Sequence, residues 1–167
     1  VRYGFGYGLS YTDFEITGCA LKAVSAEKIR VTATVRNTGN VSGKEVVQVY
    51  ASLPGGILEK EAHRLAAYAK TNELKPGEAQ EVTMEVKMDG LTSYDEKRAA
   101  WILESGFYGI WVGNSLASAK LCGGIKLDQE VIRRQVRNLF PLKQELEEIS
   151  QEASKTAKRA AAAAQQA

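Results

Sequence analysis

Apolar and polar positions alternate with period two along much of the first 128 residues, a spacing that predicts strands. Over residues 29–36, Ile29, Val31, Ala33 and Val35 share one face. Residues 80–88 repeat the pattern with Val82, Met84, Val86 and Met88. Residues 13–19 read as a first strand with Phe14 and Ile16 together, and residues 45–51 as a third. Turn chemistry separates them at Asn37-Thr38-Gly39-Asn40, Pro54-Gly55-Gly56 and Pro76-Gly77. Residues 101–104 and 106–113 predict a hairpin across Ser105-Gly106, and residues 119–127 a last strand. Residues 63–73 fit neither period. About seven strands with turns every 8–12 residues predict an all-β Greek-key sandwich, with an all-β barrel as the alternative.

Two flanking regimes break this pattern. Residues 1–12 are aromatic and glycine-rich, Tyr3-Gly4-Phe5-Gly6-Tyr7-Gly8-Leu9-Ser10-Tyr11, and read as a linker from a preceding domain. Residues 13–128 carry the sandwich. Residues 129–167 contain no glycine and predict a helical tail or linker. Pro141 suits a first helical position, with Glu145, Glu147 and Glu148 early and Lys155, Lys158 and Arg159 late. Leu142, Leu146, Ile149, Ala153, Thr156 and Ala160 draw a narrow apolar stripe. That stripe suits packing on the sandwich or on another protein, including weak self-association.

Composition narrows the partners. The 167 residues are 44% hydrophobic and 25% charged, ordinary for a chain with a packed core. Net charge is +2, and residues 1–128 balance 15 Lys/Arg against 15 Asp/Glu, so no basic stripe points to nucleic acid. No run of about 18 apolar residues points to a membrane. The opening Val1 reads as the start of a fragment or processed product.

Candidate chemistry is sparse. A glycosidase needs two positioned carboxyl groups, whereas Glu45, Glu81, Glu85, Asp95, Glu96 and Glu104 scatter over polar faces and turns and read as solvated surface. His63, the single histidine, lies between Glu61 and Arg64 with no nucleophile motif nearby. No catalytic, cofactor-binding or metal-binding residue is assigned. Cys19 and Cys122 fall on the first and last strands, which allows a bond in a sandwich. No spacing rule supports one, and the reading favours free thiols. Asn40-Val41-Ser42 has the form of a glycosylation sequon on a turn.

The aromatic residues are more informative. Tyr108, Ile110 and Val112 alternate with Phe107 and Trp111, so a core on the first face turns Phe107 and Trp111 outward. They read as docking or covered residues, with sugar stacking as the alternative. Trp101 reads as core. Tyr3, Phe5, Tyr7 and Tyr11 suit a segment that packs its rings on an adjoining domain. Together with Phe107 and Trp111 they form the candidate inter-domain docking set.

Four segments carry a family resemblance. Residues 5–14, Phe-Gly-Tyr-Gly-Leu-Ser-Tyr-Thr-Asp-Phe, resemble the lead into the fibronectin type III-like domain of family 3 glycoside hydrolases, the β-glucosidase group. Val35-Arg36-Asn37-Thr38-Gly39 with residues 43–50 resembles that domain's next signature. Leu74-Lys75-Pro76-Gly77-Glu78 resembles the third, and Gly106-Phe107-Tyr108 with Val112-Gly113-Asn114-Ser115 the fourth. Residues 63–68 fit the family only at Arg64 and Leu65. The resemblance implies an accessory domain whose partners are the catalytic domains of the same parent chain. It also implies a retaining parent enzyme whose nucleophile lies on a (β/α)8 barrel and whose acid/base group lies on another domain or loop. None of these catalytic motifs occurs here. The family domain usually ends near the last strand. The further stretch after residue 128 fits a rearranged order in which the barrel follows.

Overall fold

The computed structural model describes residues 2–137 and residue 139. Among the described residues ten strands form three antiparallel sheets, two of which make the sandwich. β1 (Phe14–Ser25), β2 (Lys28–Asn37) and β5 (Ala79–Lys87) lie in the order β1-β2-β5. Against them stand β3 (Val46–Ser52), β4 (Arg64–Lys70), β8 (Gly106–Gly113) and β9 (Lys120–Leu127), in the order β4-β3-β8-β9. The period-two residues do what their spacing requires. Val31, Val35, Val86, Val47, Val49 and Ile110 are fully buried between the sheets, each such side chain contributing about 1.5–3 kcal/mol.

The sandwich holds seven strands, as the pattern predicts, but their membership differs. Residues 64–70, left undecided by period, form β4 at a sheet edge, where alanines face the core and Leu65 and Tyr68 remain exposed. The predicted hairpin across Ser105-Gly106 does not form. β7 (Ala100–Leu103) pairs with β6 (Ser93–Asp95) and β10 (Val131–Gln135) in a third sheet, while β8 pairs with β3 and β9. The chain therefore changes sheets at Glu104-Ser105. Trp101 is accordingly not core. It lies half-buried on the third sheet, 5.3 Å from the Tyr94 ring and 5.7 Å from the Arg134 guanidinium.

Residues 131–135 are also a strand and not the start of a helical tail. β-branched Val131 and Ile132 enter the ladder with β7, and Gln135 Nε2 donates to the carbonyls of Arg98 (2.7 Å) and Ala99 (3.0 Å). The helix signals from Pro141 onward lie outside the described residues.

The first strand is longer than its pattern and breaks period at Gly18. There a left-handed φ of 62° accommodates a bulge, so that Phe14 and Ile16 before it and Cys19 and Leu21 after it all pack toward the core. Cys19 and Cys122 are joined as a disulfide, correcting the free-thiol expectation. Sequence spacing could not show that both strands are edges on the same open side. On the opposite side Arg64 donates to the carbonyls of Gly90 (3.2 Å) and Thr92 (2.6 Å) and pairs with Glu61.

Candidate functional site: the aromatic strap and the sheet face beneath it

On β3 the core takes Val47, Val49 and Ala51, so Gln48, Tyr50 and Ser52 face outward across the four-stranded sheet. Register places Tyr68 beside Gln48, and Trp111 beside Tyr50. The residues before β1 fold back over this face as a strap. Gln48 Nε2 donates to Gly6 O (2.9 Å) and to Asn114 O (2.8 Å), and its Oε1 accepts from the Tyr50 hydroxyl. Leu116 N donates to Phe5 O (3.1 Å), tying the strap to the loop after β8. The Phe5 ring meets Tyr50 edge-on at 6.2 Å, and Tyr3 stacks on Tyr7 at 5.0 Å. Burial beneath the strap raises the Tyr50 hydroxyl pKa above the ordinary tyrosine value, against a smaller lowering by the backbone at Leu116.

The strap is held at its backbone and leaves its rings outward. Tyr3, Phe5 and Tyr7 remain more than half exposed, and Tyr11 is fully exposed. Phe107 is 55% exposed and lies across Gly124, where any side chain would collide with its ring. Trp111 is half-buried, its indole N–H donating to Ser52 Oγ (3.1 Å) and its ring met edge-on by His63 at 5.3 Å. Thus Phe5 and Trp111 converge at Tyr50. Exposed Tyr68 at β4 and Leu121 at β9 extend the apolar face, and sequence reasoning missed both. The alternation of β3 carried the available signal, since it marks Gln48 and Tyr50 as outward. A polar cleft of about 580 Å³ opens where the strap meets the sheet, lined by residues including Tyr7, Asp13, Glu45 and Asn114. Within it Asn114 Nδ2 donates to Glu45 Oε2 (3.0 Å), and Val46 N to Glu45 Oε1 (2.7 Å).

Two further clusters explain the sequence signatures. The Asn37 side chain is fully buried. Its Oδ1 accepts from Thr12 Oγ1 (2.8 Å) and Gly39 N (3.0 Å), and its Nδ2 donates to the carbonyls of Val41 and Leu74, both at 2.8 Å. Gly77 N donates to Asn37 O (2.9 Å). The side chain thereby joins the end of the strap, the turn after β2 and the Leu74 segment, and the backbone carbonyl of the same residue holds the Pro76-Gly77 turn. Gly39 has no side chain because Thr12 and the Asp13 backbone occupy that space.

Glu104 is not the solvated acid its sequence position predicts, and neither is Asp95, which is buried beside Arg98. At the sheet crossing Glu104 turns inward. It accepts from Ile57 N (2.6 Å) and forms an ion pair with Lys60, the two side chains 7% and 6% exposed. The Tyr108 hydroxyl donates to Glu104 O (2.9 Å), four residues upstream, a tie of the kind that fixes corners in such sandwiches. These polar partners all belong to the fold itself.

Seven strands as three facing four, with a tyrosine tied back at the corner, define a fibronectin type III-like domain, and the profile of the "Fibronectin type III-like domain" matches residues 45–116. The chain belongs to the fibronectin type III-like part of family 3 glycoside hydrolases, the β-glucosidase group. It is 41% identical over 157 residues to Beta-glucosidase A of Butyrivibrio fibrisolvens, covering 83% of this chain and 19% of that protein. It is also 41% identical to an exo-α-(1→6)-L-arabinopyranosidase of Bifidobacterium breve, covering 66% of this chain and 14% of that one. β-Glucosidase 3B of Thermotoga neapolitana superposes with a TM-score of 0.71 at 40% identity, covering 77% of this chain and 18% of that one. The chain thus spans less than a fifth of each of these relatives.

Proposed function

We propose that this chain is a non-catalytic accessory domain that docks on the catalytic domains of its parent glycoside hydrolase and stabilises them. The strap carries this reading: its backbone is fixed to the sandwich by Gln48 and Leu116, while Tyr3, Phe5, Tyr7 and Tyr11 keep their rings exposed. A segment ordered at its backbone and apolar at its surface is suited to burial against a neighbour. The parent enzyme removes terminal β-D-glucosyl or related residues by a retaining route that uses two carboxyl groups, both outside this chain. Relatives of equal identity named for glucosidase and arabinopyranosidase activities fit a domain that does not choose the sugar.

Purified chain is expected to release no aryl alcohol from an aryl β-glucoside, and reproducible turnover would overturn the reading. Sugar stacking on Phe107 and Trp111 is the competing reading. It is less well served, because the Trp111 ring is already engaged by His63 and Ser52. Titration with β-linked oligosaccharides is expected to leave tryptophan fluorescence unchanged; a saturable change would favour stacking.

A further inference from the structure

The two cysteines sit at the irregular point of each edge strand. In β1, Gly18 and Cys19 together oppose Ala33, between the pairs Thr17↔Thr34 and Ala20↔Thr32. In β9, Cys122 is the extra residue between Gly123, opposite Ile110, and Leu121, opposite Trp111. A bulge bends its strand and strengthens the local twist. Here the paired bulges bring two edges of different sheets to a Cα separation of 5.7 Å, within reach of a disulfide. Both residues are half-buried, which leaves the bond open to a small thiol. β1 is the weakly held element: it is laddered to β2 alone, its ladder is interrupted at the bulge, and Phe14, Ile16 and Leu21 are only partly buried. It is also the strand that continues directly from the strap.

We propose that Cys19–Cys122 is a redox-sensitive latch, whose oxidised form holds β1 and the strap-bearing end of the chain onto β9. Reduction is a two-electron exchange. A thiolate of an external dithiol attacks one sulfur, the S–S bond breaks to give a mixed disulfide and one cysteine thiolate, and the second thiol of the reductant resolves it. Both cysteines end as thiols and the reductant as its disulfide; a small-molecule disulfide reverses the exchange. Release frees β1 while β2 stays laddered to β5 and packed on the core. The bearing of this latch on docking rests on the strap reading above, but the latch itself does not.

The whole 167-residue chain, purified in air, tests it with dithiothreitol as reductant. Alkylation in denaturant is expected to label no thiol before reduction and both after it. Reduction is expected to lower the melting midpoint by about 10–15 °C, given the long loop closed. Amides of β1 are expected to exchange at least about tenfold faster after reduction, while those of β2 at Val31 and Val35 keep their protection. The Cys19→Ala/Cys122→Ala chain is expected to melt with the reduced protein and ignore dithiothreitol; if it does not fold, the wild-type reduction decides. Two thiols labelled in the untreated chain would overturn the latch. So would an unchanged midpoint, or a lower midpoint with β1 and β2 exchanging alike. No readout here depends on docking, so failure of the docking reading shows separately.

Discussion

Replacing Asn37 by alanine removes four hydrogen bonds from one fully buried side chain, and the structure sets the scale of the loss. The carbonyls of Leu74 and Val41 lose their 2.8 Å donor, while Thr12 Oγ1 and Gly39 N lose their acceptor. A buried polar group stripped of its partner costs about 1–3 kcal/mol. The Leu74 carbonyl takes that loss in full, because its bond is buried, whereas the partly buried Val41 and Gly39 sites regain some bonding from water. The expected total is about 3–5 kcal/mol, or about 10–20 °C in melting midpoint for a domain of this size. Asn37→Asp is expected to be nearly as damaging despite its shape, because it turns an oxygen toward two carbonyls. Urea denaturation followed by tryptophan fluorescence gives the loss directly. Less than about 1 kcal/mol lost in both variants would refute the view that this side chain clamps the strap, the β2 turn and the Leu74 segment.

Other consequences are equally checkable. Lys60→Met leaves Glu104 buried without its cation and is expected to cost about 3–5 kcal/mol in urea denaturation, part of which Glu104→Gln restores in the double variant. Burial, and then the nearby Glu104 charge, pushes the Tyr108 hydroxyl up to about 12. Because the folded value lies above the unfolded one near 10, its contribution is intact below about pH 10 and is lost as pH rises toward 12, by up to about 2 kcal/mol. Urea midpoints are therefore expected to fall across that range in the wild type and more shallowly in Tyr108→Phe. Gln48→Ala removes both donors to Gly6 and Asn114 and is expected to raise chymotryptic cleavage within the strap by about fivefold or more.

The sandwich was legible because burial on one face of a strand imposes period two, and β2, β3, β5 and the inward side of β8 all carry it. β4 escaped that test because its inward side is alanine, too small to mark a face. Trp101 misled because its size points to the core, whereas the chain changes sheets at Glu104 and leaves it on the third sheet with Arg134. The disulfide was hidden for a related reason: pairing depends on which edges face each other, and two bulges decide that. Of the candidate site, the outward rings of the strap and Phe107 follow from pattern. The polar ties do not. Gln48 reaches Gly6 and Asn114 at separations of 42 and 66, Asn37 reaches Thr12 and Leu74 at 25 and 37, and Glu104 reaches Ile57 at 47. No local spacing announces such partners.

The strap and its sheet face are proposed to dock on a neighbouring domain. Amide exchange over residues 2–12 and 107–111, compared between this chain alone and the full parent polypeptide, tests this docking most directly. Strap amides without an internal partner are expected to exchange at least about tenfold more slowly in the parent, with the interior of β2 unchanged. Identical exchange of the strap in both settings would contradict the docking.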